Sequence, residues 1–217
     1  MSIFGFSKTA MVAPPDALPG RSSPVLPDPA PHAVLGTSLT GPWPEGTAVI
    51  YVAMGCFWGG EELYWRLPGI VTTSVGYMGG YTPNPTYEEV CTGQTGQTEA
   101  VLVAYDPDAI SHYDILKAFW ENHDPTQGYR QGNDRGTQYR SAIYFTTNEQ
   151  RELIERTRDA YAQVIASRGY DAITTEVAPA GSSTYYLAED YHQQYLYKVP
   201  HGYRCHANTG LALPALA

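Results

Sequence analysis

The 217-residue chain contains only three cysteines, Cys56, Cys91 and Cys205. They lie too far apart to form a CxxC redox pair or a two-plus-two zinc site. So few cysteines also argue against the disulfide framework of a small secreted protein. We therefore expect the free thiols of an intracellular protein.

Basic residues and long apolar runs are scarce as well. Lys and Arg total 13 against 22 Asp and Glu, which gives a net charge of -9 and a pI near 5.0. This balance argues against a function on nucleic-acid phosphates or anionic lipid surfaces. No segment is apolar over the length of a membrane span, and the N-terminus lacks a basic start followed by an apolar run. We predict a cytoplasmic protein that binds neither nucleic acid nor a membrane.

The composition is that of a globular protein with an extended N-terminal segment. Hydrophobic residues make up 43% of the chain and charged residues 16%, which excludes a disordered chain or a coiled coil. Nine of the 17 prolines fall within the first 44 residues, where they disfavour helix and sheet interiors. The sequence therefore predicts a proline-rich arm at 1–46, a main domain at 47–199 and a C-terminal tail at 200–217.

The hydrophobic pattern of the main domain alternates between strands and helices. Buried strands are predicted at 47–54, 70–77, 98–105, 141–146 and 173–178, and helices at 56–67, 111–120 and 149–168. Ser111 and Thr147 are predicted helix caps. Glycine-bearing segments at 76–96 and 127–138 are predicted to be irregular loops. This order predicts an α+β or α/β sandwich, a mixed sheet with helices packed on it.

Cys56 lies where the first strand meets the first helix, between Gly55 and the dipeptide Phe57-Trp58. Unpaired N–H groups at a helix N-terminus stabilise a thiolate and lower the thiol pKa from about 8.5 toward 7. We therefore expect a reactive thiolate. The alternative is a small buried core residue, since free cysteine is among the most buried residue types.

Glu99 lies inside the third strand, on the same face as Val101 and Val103. Burial among apolar groups favours the neutral carboxyl group, which can then donate a proton near neutral pH. The alternative is a glutamate near a strand end that points into water.

Cys205 lies in the tail, where Gly202 and Gly210 favour movement. A second thiol that reaches an oxidised Cys56 would condense with its sulfenic acid to a disulfide. The alternative is an incidental exposed thiol. Cys91 is interpreted as structural.

A zinc site could be drawn from His192, His201, His206 and Cys205. Their spacing fits no strong metal-binding template, and we predict no metal.

Three polar residues of the two loops are further candidates. Tyr87 follows a proline-rich turn, and Asp134 and Tyr139 bracket Gly136. Tyrosine hydroxyls can donate to a polarised oxygen, although amphipathic packing is the simpler interpretation in a chain with 18 tyrosines. Asp134 is by default a turn residue.

Several blocks together resemble the peptide methionine sulfoxide reductase A family, which acts on the S-epimer of methionine sulfoxide. They cover roughly residues 47 to 206 and stand in the family's usual order. They are Gly55-Cys56-Phe57-Trp58-Gly59, Gly76-Tyr77-Met78-Gly79-Gly80, Asn84-Pro85-Thr86-Tyr87, Thr95-Gly96-Gln97-Thr98-Glu99-Ala100-Val101, Gly132-Asn133-Asp134-Arg135-Gly136-Thr137-Gln138-Tyr139-Arg140-Ser141 and His192-Gln193-Gln194-Tyr195.

The resemblance implies a ferredoxin-like α+β sandwich with its catalytic domain at 47–199. Cys56 would attack the sulfoxide sulfur while Glu99 protonates its oxygen, which leaves a sulfenic acid on Cys56. Cys205 in the tail would resolve this acid as a disulfide, and thioredoxin would reduce the disulfide. No metal or organic cofactor is implied, and the substrate would be oxidised protein or free methionine sulfoxide.

The resemblance also implies a substrate site. Phe57 and Trp58 would hold the substrate methyl group, Tyr87 and Tyr139 would hydrogen-bond its oxygen, and Asp134 would support this polar network.

The chain departs from the family pattern at two places. Gln97 replaces a histidine that many members carry, which bears on the acidity of Glu99. The tail has no third cysteine, so Cys205 must be both the resolving thiol and the link to thioredoxin.

Two other functions compete with the reductase. Cys56 with His192 and Asp190 could form a thiol hydrolase or acyltransferase, since a Cys–His pair activates acyl transfer. A tyrosine-lined binding module is the non-catalytic alternative.

Overall fold

The computed structural model describes residues 7–205 and 207–216. Its strands are β1 (Ala48–Met54), β2 (Ile70–Met78), β3 (Thr98–Tyr105), β4 (Arg130–Gln131), β5 (Asp134–Arg135), β6 (Ser141–Phe145), β7 (Glu176–Pro179) and β8 (Tyr186–Leu187). Its α-helices are α1 (Phe57–Trp65), α2 (Tyr87–Cys91), α3 (His112–Glu121), α4 (Asn148–Ala166) and α5 (Tyr195–Lys198).

Six strands form the central sheet, in the order β7-β6-β1-β3-β2-β8. Its four middle strands, with α1 and α3 as the crossovers, form the βαββαβ unit of a ferredoxin-like fold. β6 and β7 are parallel and the other neighbours are antiparallel, so the predicted mixed sheet is confirmed. β4 and β5 form a separate two-stranded hairpin.

The main hydrophobic core lies between one face of the sheet and the helices α1, α3 and α4. Trp120 and Tyr161 are fully buried in it, and the Trp120 indole N–H donates to Thr157 Oγ1 over 3.1 Å. The predicted caps are confirmed. Ser111 accepts from the backbone N–H of Asp114, and Thr147 accepts from that of Gln150. None of the helices in these two described ranges is long and apolar enough to cross a membrane.

Several local predictions were wrong. The strand predicted at 173–178 is β7, which begins at Glu176 rather than at residue 173, because the Thr174 backbone N–H bonds Pro125 O instead of a neighbouring strand. It is not the last strand, since β8 follows it. The segment 76–96 contains α2, which begins with a capping box between Thr86 and Glu89. The segment 127–138 contains the β4–β5 hairpin, and the edge strand β8 and the short helix α5 were also missed. Both helices are too short to show a 3.6-residue period.

The proline-rich segment is tied to the main sheet through His32. The His32 ring is 1% exposed, and its Nε2 lies 2.9 Å from Thr73 Oγ1. Thr73 in turn donates to Glu61 on α1 over 3.2 Å. Glu61 also accepts from the backbone N–H of Gln194 over 2.8 Å and from its side-chain amide over 2.7 Å. The arm, the sheet, α1 and the start of α5 therefore meet at one buried carboxyl group.

Replacing Glu61 by alanine is expected to lower the free energy of unfolding by about 3 kcal/mol, because it leaves the buried donors of Gln194 without an acceptor. Equilibrium urea unfolding measures this loss. Glu155→Ala, an exposed glutamate on α4, is the matched control and should change stability by less than about 0.5 kcal/mol. Equal effects of the two substitutions would show that the buried network contributes nothing.

Candidate active site

Cys56 is held at the N-terminus of α1 by a turn that requires glycine. Gly55 has φ +93°, and a Cβ atom there would lie 2.7 Å from Gln131 Cγ. This turn follows β1 directly and makes Cys56 the N-cap residue of α1. The side chain is largely buried, with the residue 8% exposed.

Glu99 lies beside Cys56 because β1 and β3 are antiparallel neighbours, so the end of β1 meets the start of β3. The backbone N–H of Phe57 donates to Glu99 Oε2 over 3.0 Å. The residue is 2% exposed, so the alternative of a water-facing glutamate is wrong. Burial raises the pKa of Glu99 to about 8, and the carboxyl group therefore carries a proton at pH 7.

The expected thiolate at Cys56 is wrong for the ligand-free site. Burial raises the pKa of the Cys56 thiol well above its ordinary value, and the neighbouring Glu99 carboxyl group raises it further. The backbone N–H of Trp58 lowers this pKa, as a helix N-terminus should, but desolvation is the larger effect. Cys56 and Glu99 are therefore both protonated at neutral pH before a substrate binds.

A cavity of about 280 Å³ brings together most of the candidate residues from the sequence. It is lined by Cys56, Phe57, Trp58, Tyr87, Glu99, Asp134, Tyr139 and Tyr203. Burial raises the pKa values of the Tyr87 and Tyr139 hydroxyls, so both remain protonated and able to donate. The cavity thus combines a thiol, a neutral acid and two hydroxyl donors with aromatic walls.

Trp58 is held in place by two aromatic neighbours. Its ring stacks on Tyr195 with centroids 4.0 Å apart, and its indole N–H donates to His192 Nδ1 over 3.1 Å. Burial lowers the pKa of His192 to about 4, so this ring is neutral. Because Nδ1 accepts from Trp58, the ring proton is on Nε2.

The hydrolase geometry is not present among the described residues. No hydrogen bond there joins His192 to Cys56, and the carboxylate of Asp190 faces Lys198 Nζ at 3.5 Å. His192 is therefore a support for Trp58 and not a base for Cys56.

Glu189 supports the other side of the cavity and was missed by sequence reasoning. Its carboxylate accepts from the backbone N–H of Tyr87 over 2.8 Å and from the Tyr77 hydroxyl over 3.0 Å. The sequence carried no local signal for this role, because Glu189 lies about a hundred residues from both partners.

Cys205 lies in a second cavity of about 290 Å³ that also reaches Cys56. All three cysteines are free thiols. The Cys205 thiol donates weakly to Gln131 O over 3.5 Å. Burial and the neighbouring Asp134 carboxylate raise the pKa of this thiol. Cys56 therefore borders both cavities, with the acid in one and the second thiol in the other.

Tyr203 is a further lining residue that the sequence did not single out. Its hydroxyl lies 3.1 Å from each carboxylate oxygen of Asp134. A tyrosine two positions before a candidate thiol is the signal that could have identified it. Among 18 tyrosines that signal was not distinctive.

The side chain of Gln97 holds a loop. It accepts from Gly80 N over 3.0 Å and donates to Thr82 O over 2.8 Å. Across 7–205 and 207–216, no group of three or more His, Cys, Asp or Glu side chains could hold a metal ion. His206 of the zinc alternative lies outside the described residues.

A thiol next to a neutral carboxyl group, with a second thiol across the next cavity, defines a cysteine-dependent oxidoreductase on a ferredoxin-like fold. Comparison with known proteins gives the particular family. Residues 48–216 match the family Peptide methionine sulfoxide reductase. The chain belongs to the peptide methionine sulfoxide reductase family, and the recognition made from its motifs is confirmed.

Two bacterial relatives cover the chain almost completely, and a yeast relative covers three quarters of it. Peptide methionine sulfoxide reductase MsrA of Salinispora tropica is 61% identical over 212 residues, which are 96% of this chain and 94% of the relative. Methionine sulfoxide reductase A of Corynebacterium diphtheriae is 50% identical, with a TM-score of 0.83 over 95% of this chain and 100% of that one. Reduced Mxr1 of Saccharomyces cerevisiae is 34% identical, with a TM-score of 0.65 over 75% of this chain and 91% of that one.

Proposed function

We propose that this reductase converts methionine S-sulfoxide, protein-bound or free, to methionine, with Cys56 as nucleophile and Glu99 as acid. The observation that carries the proposal is the neutral Glu99 carboxyl group in the same cavity as the Cys56 thiol. A sulfoxide oxygen leaves sulfur only when it is protonated, so a thiol nucleophile needs an acid beside it.

The first step transfers one oxygen atom. Glu99 gives its proton to the sulfoxide oxygen as Cys56 sulfur attacks the substrate sulfur, and the thiol proton returns to Glu99. The protonated oxygen then passes from the substrate sulfur to the Cys56 sulfur as the bond between the two sulfurs breaks. Methionine leaves with its sulfur reduced by two electrons, and Cys56 becomes a sulfenic acid, oxidised by two electrons. The high pKa of Glu99 suits this exchange because the group both gives and regains a proton near neutral pH.

The cavity walls orient the substrate. Phe57 and Trp58 hold the methyl group against an apolar surface, while Tyr87 and Tyr139 donate hydrogen bonds to the sulfoxide oxygen. Asp134, which accepts a hydrogen bond from the Tyr203 hydroxyl, supports this polar network. Two donors aimed at an oxygen whose negative charge grows during the attack stabilise the transition state.

The second step joins the two cysteines. The Cys205 thiol condenses with the Cys56 sulfenic acid, which forms the S–S bond and releases water. Thioredoxin then reduces the disulfide by thiol exchange. Sulfur carries all the electrons, so no metal or organic cofactor takes part. Such a cycle belongs in a compartment that keeps thiols reduced, and we place it in the cytoplasm.

Replacing Cys205 by serine is expected to leave one stoichiometric reduction per protein molecule and to abolish thioredoxin-driven turnover. The first oxygen transfer needs only Cys56, whereas recycling needs the disulfide. Methionine release, followed with and without thioredoxin, distinguishes the two. Cys91→Ser makes the same chemical change at a different cysteine and should keep full turnover. Full recycling by Cys205→Ser would reject the resolving role.

A further inference from the structure

The tail segment that carries Cys205 is attached to α1 by a bidentate ion pair. Arg204 Nε lies 2.8 Å from Glu62 Oε2, and Arg204 Nη2 lies 2.9 Å from Glu62 Oε1. Arg204 immediately precedes Cys205, and Glu62 lies in the second turn of α1. Cys56 is the N-cap of that helix. Both thiols are therefore connected to the same helix, one by the backbone and the other by this ion pair.

The pair is less exposed to solvent than an ordinary surface salt bridge. The Glu62 side chain is 12% exposed and that of Arg204 31%. The planar guanidinium group matches both carboxylate oxygens, which fixes direction as well as distance. The pKa of Glu62 is lowered, first of all by its hydrogen bonds to Arg204, so the carboxylate is charged at neutral pH.

Other contacts of this segment are weaker or more distant from Cys205. The Cys205 thiol, a weak donor, bonds Gln131 O over 3.5 Å and also contacts the Asp134 carboxylate. Tyr203, which reaches Asp134 as well, is 47% exposed. Within the described residues 207–216, the first side chain that hydrogen-bonds the domain is Thr209, whose hydroxyl contacts Tyr161. The position of Cys205 therefore depends strongly on Arg204.

We propose that the Glu62–Arg204 ion pair is a positioning device that holds Cys205 next to Cys56, so that the sulfenic acid is captured quickly as a disulfide. The inference rests on the proposed function, because it requires Cys205 to be the resolving thiol. Holding two reacting groups together raises their effective concentration. The pair acts on disulfide formation and not on the oxygen transfer that precedes it.

The test is a single turnover with excess methionine sulfoxide, quenched at intervals and analysed by mass spectrometry. Two rates are read from each sample, methionine formation and disulfide formation. Arg204→Ala and Glu62→Gln should each form methionine at the wild-type rate, which also shows that the variants are folded. Disulfide formation should slow about tenfold in both, as the loss of one partly buried charged pair predicts. A sulfenic-acid trapping reagent should then label Cys56 in the variants.

Three further variants separate this role from a general structural one. Arg204→Lys keeps the positive charge but lacks the planar guanidinium group, and it should recover part of the rate of disulfide formation that Arg204→Ala loses. The double variant Glu62→Gln/Arg204→Ala should be no slower than the slower single variant, because both remove one interaction. Arg66→Ala is the matched control. Arg66 also bonds Glu62, over 2.7 Å, but its side chain is 68% exposed, and disulfide formation should keep its wild-type rate.

Wild-type disulfide formation in Arg204→Ala would overturn the proposal, as would equal slowing by Arg66→Ala. Slowing of methionine formation by the same factor as disulfide formation would also overturn it, since the pair would then act on the whole site. Cys205→Ser, measured alongside, tests the proposed function itself. If that variant still recycles with thioredoxin, the resolving role fails. If it does not recycle while Arg204→Ala is normal, only the positioning role fails.

Discussion

Replacing Cys56 by serine is expected to reduce the rate of methionine sulfoxide reduction by about 10⁴-fold or more, because an alcohol cannot accept the oxygen atom as a sulfenic acid does. Serine is close to cysteine in size, so the cavity and its aromatic walls remain. The measurement is methionine released in a single turnover, together with free-thiol counting before and after exposure to a sulfoxide peptide. Wild type should lose two thiols, Cys56 and Cys205, and the variant none.

The same variant separates catalysis from simple binding. A binding module with tyrosine walls would keep its ligand affinity in Cys56→Ser, and its wild type would show no substrate-dependent loss of thiols. Cys91→Ser is the control for thiol counting, since it should still lose the other two thiols. Reduction by Cys56→Ser at a rate near that of wild type would remove Cys56 as the nucleophile.

Replacing Glu99 by glutamine is expected to lower the rate of the first turnover by about 10²- to 10⁴-fold, the usual contribution of general acid catalysis. The amide fills the same space but gives no proton to the sulfoxide oxygen. Between pH 5 and 8 the wild-type rate should vary little, whereas the variant should become slower as solvent protons become scarcer. Glu155→Gln, on the exposed face of α4, should match wild type throughout.

The pKa of about 8 for Glu99 also sets the direction of the wild-type pH dependence. The carboxyl group is protonated below this pH and loses its proton above it, so reduction should fall as the pH rises through about 8. Glu99→Gln should show no such break near pH 8, only the continuous decline with falling proton concentration. A variant with the same pH–rate profile as wild type would remove Glu99 as the acid.

The pH dependence of stability provides an independent test of the raised pKa of Glu99. The folded-state pKa of Glu99 is raised above its unfolded value near 4.5, so the folded state binds the proton more tightly. The contribution of protonated Glu99 to the free energy of unfolding is therefore fully present below about pH 4.5 and is progressively lost as the pH rises through 8. Glu99→Gln cannot ionise and should show a smaller loss of stability over this range in urea unfolding. Slow chemistry in a stable variant would exclude unfolding as the cause.

The longer elements followed directly from the sequence. The apolar run of β1, the caps at Ser111 and Thr147 and the helical stripe of α4 are local patterns, and local sterics and hydrogen bonding are sufficient to form them. The helices α2 and α5 and the strands β4, β5 and β8 were not predicted. Each has five residues or fewer, too few for a period to appear.

The residues of the candidate site also divide into those that the sequence indicated and those that only the structure revealed. The motif around Cys56 indicated a thiol at a strand–helix junction, and the alternation along β3 indicated a buried acid at Glu99. The other lining residues came from the family resemblance. Tyr203, Glu189 and the Glu62–Arg204 pair came only from the structure, because each depends on a contact between distant parts of the chain.

By itself the sequence determined the family, the order of the main strands and helices, and the candidate residues for the chemistry. The tertiary structure decided their ionisation. A helix N-terminus is a local feature and argued for a thiolate at Cys56. Burial also depends on residues distant in the sequence, such as Asp134 and Tyr139, and it favours the neutral thiol and the neutral acid. Desolvation depends on all the atoms that surround a group in the folded protein, and the sequence alone does not show which atoms those are.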